Sequence, residues 1–353
     1  MLLSDICEII MGQSPSSDSY NVKGQGLPFF QGNADFGKLY PSVRLWCNCP
    51  IKKAEAGDLL VSVRAPIGAV NLANQKCCIG RGLAALRPYR DKCDAMYLYY
   101  LIKAGKNKLN WLGTGSTFKA ITRSSLLSFN VPDYCIAFQR KISGKLWSVD
   151  KLIHQRNEQL KLFDLLIQSR FLEMFGDIEL NSQNMQKMMW QEVFDTQTGK
   201  LDANAAVKGG RYPFFTCAKE ISTIDEYAYD CEALLLAGNN AVGDYDVKYY
   251  KGKFNAYQRT YILMLKNRQY SYSVFKFQLE QKLRYLQLQS KGTNTRYLTM
   301  GILKSLDFIV PPIVKQQEFA QFVNATDKSK LAVQKSLDEL EILKKSLMQT
   351  YFG

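Results

Sequence analysis

The residues most suggestive of chemistry run from Gly113 to Thr122, Gly-Thr-Gly-Ser-Thr-Phe-Lys-Ala-Ile-Thr. Two glycines, several hydroxyls and Lys119 are the ingredients of a phosphate loop. A nucleotide-binding P-loop, however, sets four residues between its glycines and follows the second with Lys-Ser/Thr, so that successive N–H groups surround the phosphates. Here Thr114 alone separates Gly113 from Gly115, and Lys119 comes three positions after Ser116. The segment suits contact with a nucleic-acid backbone instead: glycine allows close approach, hydroxyls donate and lysine adds charge. The competing reading is a structural turn joining two elements. A related segment, Ser290 to Thr299, carries Lys291, Asn294 and Arg296 in a similar setting.

Other constellations are weaker. Gly80-Arg81-Gly82 has the look of a phosphate turn, but a lone Gly-x-Gly reads as a bulge or tight bend. The single histidine, His154, falls beside an apolar helical stripe and reads as a solvated or packed helix residue rather than an acid–base catalyst. Asp35 and Asp58 stand near basic residues, yet no Asp…Glu-x-Lys nuclease triplet follows them. No Asn/Asp-Pro-Pro-Tyr/Phe motif of the amino-methyltransferases occurs, nor a glycine-rich turn spaced for a nucleoside cofactor. The nine cysteines include no Cys-x-x-Cys pair, so they read as reduced, mostly buried thiols rather than zinc ligands. The expectation is a chain without catalytic residues, metal or cofactor.

The bulk properties point to a partner. A net charge of +14 favours a densely anionic surface, which means nucleic acid or membrane. Without a long apolar run or a basic leader, the membrane option falls away, and a cytoplasmic protein is expected. Hydrophobic content of 46% and charged content of 22% place the chain among folded globular proteins, and 353 residues exceed one ordinary core.

What must position these residues is visible as a repeat. Gln139 matches Gln316, Asp150-Lys151 matches Asp327-Lys328, and Phe175-Gly176 matches Phe352-Gly353. The offset is constant at 177, the difference between 139 and 316 and between 176 and 353. Both copies are helical by pattern. Ile142, Leu146, Val149, Ile153, Leu160, Phe163 and Ile167 recur at four- and three-residue steps, with Arg156 as the polar interruption. Phe319, Val323, Thr326, Val333, Leu337 and Leu340 form the second stripe, interrupted by Lys330. A Val-Pro precedes each helix and a glycine closes each, and about 39 residues of helix would span on the order of 58 Å. A stripe that long needs a partner, and its own copy is the natural one.

Fainter echoes link the preceding segments, such as Leu-Pro-Phe-Phe at Leu27 and Tyr-Pro-Phe-Phe at Tyr212. These are short apolar runs between Gly, Asn and Pro, which read as strands, with amphipathic helices near Asp94–Lys106 and Tyr272–Leu288. The fold expected is α+β: two globular bodies, 1–135 and 181–314, each followed by a long helix, in 136–180 and 315–353, as an internal repeat.

Taken as a set, Gly-Asp-Leu-Leu-Val-Ser-Val-Arg-Ala-Pro-Ile-Gly-Ala-Val (from Gly57), Ile-Gly-Arg-Gly-Leu-Ala-Ala-Leu-Arg-Pro (from Ile79), the Gly113 segment and the long helices resemble the specificity subunits of type I restriction–modification systems over nearly the whole chain. The resemblance implies two target-recognition domains that each read half of a split double-stranded DNA sequence. It also implies that the two long helices pack antiparallel as a coiled-coil-like spacer with pseudo-two-fold symmetry, on which two methyltransferase subunits dock. Restriction/translocase subunits join the larger complex, and catalysis is left to those partners. Base- or backbone-contacting candidates are Gln31, Asn33, Arg64, Arg81, Ser116 and Lys119 in the first domain. In the second they are Lys219, Asn239, Asn240, Tyr257, Gln258, Arg259, Lys291, Asn294 and Arg296. Arg suits guanine, and Asn or Gln suits adenine. The rivals are the specificity chain of a restriction enzyme outside type I, a nucleic-acid enzyme with an unrecognised active site, and a coiled-coil scaffold whose charge is incidental.

Overall fold

A computed structural model describes residues 1–113 and 119–353 and falls into two compact units, Met1–Glu158 with Gln334–Gly353, and Gln159–Val333. Each unit therefore holds a mixed α/β body, the start of one long helix and the end of the other.

In the first unit a four-stranded antiparallel sheet has the order Cys7–Met11, Leu83–Pro88, Leu59–Ser62, Val70–Leu72. A five-stranded sheet has the order Tyr20–Asn21, Leu45–Cys47, Leu27–Phe30, Cys77–Ile79, Lys53–Ala54. Its one parallel pair joins Leu27–Phe30 to Cys77–Ile79. Helix Ala95–Ala104 starts at Asp94, whose carboxylate accepts the Tyr97 N–H at 2.9 Å and satisfies a donor the helix cannot. Its residues Tyr97, Leu98, Tyr100 and Leu101 pack with Leu59 and Val61 in the core of the unit.

The second unit has a six-stranded sheet ordered Phe194–Thr198, Thr260–Leu265, Tyr229–Ala237, Val247–Ala256, Tyr212–Phe215, Ser222–Ile224. The ten-residue strand Val247–Ala256 takes the place of two strands of the first unit. It runs antiparallel to Tyr229–Ala237, as Val70–Leu72 does to Leu59–Ser62, and its end runs parallel to Tyr212–Phe215. Helix Tyr272–Gln281 lies in the position of Ala95–Ala104, and Trp190, Phe194, Phe275 and Phe308 fill the core.

The long helices are Ile136–Phe175 and Ile313–Phe352, each of 40 residues and so about 60 Å long. Gly176 ends the first in the left-handed region at φ +71, its N–H bonded to the Leu172 carbonyl. The expected stripe is the buried face: Ile142, Leu146 and Val149 are buried, and Ile153, Arg156, Leu160, Phe163 and Ile167 are half-buried between exposed positions. Within each unit the pair runs antiparallel. In the first, Lys344 meets Asp150 while Tyr351 reaches back to Phe138; in the second, Lys330 meets Asp164 and Phe319 packs on Phe171 and Phe175. The seam interruption Lys330 is thus neutralised by the facing helix. The sequence echo Phe175/Phe352 acquires a reason here. Each ring closes a core beside the other helix's first turns, Phe352 against Tyr97 and Phe175 against Phe319.

Gln139 and Gln316 occupy the first turns of the two helices and are 1% and 0% exposed. The Gln139 side-chain oxygen accepts the Asp94 N–H at 3.0 Å, and its amide donates to the carbonyls of Lys92 and Tyr134. Gln316 accepts the Ser271 N–H at 2.9 Å and donates to the Pro311 carbonyl. Asp94 and Ser271 are the N-caps of the corresponding domain helices, so one carboxamide ties each body to its rod. Gln139→Leu keeps the volume but strands the Asp94 donor and two carbonyls. The first unit should lose about 1–3 kcal/mol, read as a lower urea midpoint in full-length protein; an unchanged midpoint would mean that the carboxamide does not hold body and rod together.

Candidate nucleic-acid interface

The candidate residues cluster because of backbone hydrogen bonds between strand ends. In the first unit the Gly80 N–H donates to Phe30 O at 2.8 Å, Val63 N–H to Gly82 O at 3.0 Å, and Ile121 N–H to Val63 O at 2.8 Å. Four segments are thereby laid side by side, bringing Gln31, Asn33, Arg81, Arg64 and Lys119 to one edge. The second unit repeats the ladder: Tyr257 N–H to Phe215 O at 2.9 Å, Gly238 N–H to Arg259 O at 2.8 Å, and Leu298 N–H to Gly238 O at 2.8 Å. It gathers Tyr257, Gln258, Arg259, Asn239, Asn240 and Arg296, and the hydrogen bonds between Lys291 and Tyr297 attach Lys291 and Asn294. Arg296–Tyr297 pairs directly with Asn239–Asn240, and Lys219 joins through its contact with Asp244. The segments carrying Lys119 and Arg296 are anchored alike on their C-terminal side: Thr122 caps helix Arg123–Leu127, and Thr299 caps helix Met300–Lys304.

The candidates differ in how free they are. Gln31, Arg64, Arg81 and Lys119 are exposed, and Asn33 is half-buried. Among the described residues, the guanidinium groups of Arg64 and Arg81 and the ammonium of Lys119 have no ion-pair partner. Ser116 lies outside the described residues. In the second unit Lys219 pairs with Asp244 at 2.6 Å, and that hydrogen bond holds its ammonium above the ordinary lysine range. Arg296 donates to Gln287 O at 3.1 Å, and the Asn240 side-chain oxygen accepts the Val242 and Asp244 N–H groups. Asn239, Gln258 and Arg259 keep their side chains unengaged among the described residues.

Residues with other apparent chemistry are used internally. Asp35 accepts the Gln31 N–H at 2.7 Å and the Arg44 guanidinium, so it shapes the Gln31 loop. Asp58 holds Arg87 through two bonds, at 3.0 and 2.9 Å. Burial pushes the thiols of Cys77, Cys78 and Cys93 up to about 12, which keeps them protonated and poor nucleophiles at neutral pH. Among the described residues no cluster of three or more His, Cys, Asp or Glu could hold a metal ion, and no helix is long and apolar enough to cross a membrane.

The family described as type I restriction modification DNA specificity domain matches the chain twice, over residues 1–162 and 182–341. The chain belongs to that family. A Methanocaldococcus jannaschii chain assigned as the MjaX specificity subunit of a type I restriction enzyme is 44% identical over 152 residues. The Escherichia coli EcoDI specificity subunit is 38% identical over 132 residues. These matches cover 43% and 37% of this chain, but only 36% and 28% of the relatives' own length. The crystal structure of a type I restriction–modification S subunit from M. genitalium is similar in fold, with a TM-score of 0.70 over 100% of this chain and 95% of that one, at 16% identity.

In the first specificity domain Gly82 permits the close approach of two loops. A Cβ there would lie 2.3 Å from the Gln31 carbonyl oxygen. Gly82→Ala must therefore push the Arg81 turn off the Gln31 loop, at a cost of about 1–3 kcal/mol. Thermal unfolding of the full chain measures it; an unaltered midpoint would mean that the turn gives way freely.

Proposed function

We infer that the protein is the non-catalytic DNA-specificity subunit of a cytoplasmic type I restriction–modification complex. Its two domains each read one half of a bipartite duplex target, and its long helices serve as spacer and docking surface. Two methyltransferase subunits bind the helices, restriction/translocase subunits join through them, and those partners carry out methylation and cleavage. The observation that carries this reading is the double match to the specificity-domain family, one copy on each body. The charge of +14 and the cations left without an ion pair on the first edge supply the attraction to phosphate. Docking is supported by apolar side chains left bare on the helices, among them Leu162 at 62%, Leu331 at 72% and Ile342 at 69% exposure.

Two measurements test the two halves of this reading. Duplex binding by the full chain should weaken steeply with salt, and Lys119→Ala should weaken all duplexes alike and lower the salt slope by about 1. A flat salt response would leave only a protein-binding scaffold. Replacing Leu162 and Leu331 together by Glu should abolish co-purification with the partner methyltransferase while leaving duplex binding intact, because neither side chain belongs to the core. Undiminished co-purification would move the docking surface elsewhere.

A further inference from the structure

The two edges share one backbone frame but carry different side chains at matched places. Val63 and Gly238 make equivalent bonds, each donating to the turn and accepting from the segment that leads to a capped helix. The next residue is Arg64 in one domain and Asn239 in the other, facing Ala120 and Tyr297 respectively. Gly80 and Tyr257 likewise make equivalent bonds, to Phe30 and Phe215, so Arg81 corresponds to Gln258. At both places the first domain has arginine and the second has a carboxamide.

These four side chains are also among those the fold leaves available. Arg64, Arg81 and Gln258 are exposed and Asn239 half-buried, and none has an internal side-chain partner among the described residues. Asn240 differs, because its oxygen is already spent on two backbone donors and it cannot grip an adenine edge with both ends of its amide. The third matched pair, Lys119 and Arg296, is cationic in both domains and so carries no contrast, as expected of contacts with phosphate. In the major groove an arginine fork fits the O6 and N7 acceptors of guanine, whereas a carboxamide fits the N6 donor and N7 acceptor of adenine.

We propose that Arg64 and Arg81 select guanine in the half-site read by the first domain, and that Asn239 and Gln258, on the same frame, select adenine in the other half-site. This rests on the reading that both edges face duplex DNA. The test enriches a random-sequence duplex pool on the full-length protein and compares it with two variants, Arg64→Asn with Arg81→Gln, and Asn239→Arg with Gln258→Arg. The wild-type protein should enrich a two-part motif. The first variant should lose guanine preference in one part only, by on the order of ten-fold per position, with adenine replacing it. The second should gain guanine in the other part only. Binding to unselected duplex at low salt and the unfolding midpoint report whether either variant is still folded. A two-part motif that neither variant changes, or that changes at bases other than guanine and adenine, overturns the proposal and leaves the functional reading standing. No enrichment and no salt-dependent binding by the wild-type protein overturns that reading as well.

Discussion

A buried carboxamide in the first turn of each long helix is the constraint on which the rest depends. Gln139 and Gln316 are almost wholly removed from water, so every polar atom they carry must find a partner inside the protein. Those partners are the N-cap of the adjoining domain helix and carbonyls of the segment entering the rod. The amide geometry leaves little freedom in how body and rod meet. An apolar residue could fill the space but would not set the angle.

With that junction constant, the two bodies are free to differ. The first splits its sheets where the second runs one long strand, and their cores use different aromatics. What survives the divergence is the ladder of backbone bonds between strand ends, which does not depend on side-chain identity. A frame built from main-chain donors and acceptors can carry arginine in one copy and a carboxamide in the other without altering its shape.

The same division explains why the apparent catalytic residues are quiet. Asp35 and Asp58 are engaged by arginines and backbone N–H groups, and burial keeps the thiols of Cys77 and Cys93 protonated. By contrast, Arg64, Arg81 and Lys119 on the strand-end edge of the first unit are exposed and have no ion-pair partner among the described residues, a placement that suits attraction to phosphate.

The helices were legible in the sequence because periodicity and a constant offset are local, one-dimensional signals. Ile142, Leu146 and Val149 announce a buried stripe whatever surrounds them. The α+β class followed in the same way from short apolar runs broken by Gly, Asn and Pro. The candidate edge was legible only as a scatter of residues: nothing in the order of the chain says that Arg64, Arg81 and Gln31 meet, since their segments are joined by hydrogen bonds across the sheet. Nor does it say that Lys219, Asn240 and Arg296 are already engaged while Asn239 and Gln258 are not. Those distinctions belong to tertiary structure, because the availability of a polar group depends on which donors and acceptors the fold brings within about 3 Å of it.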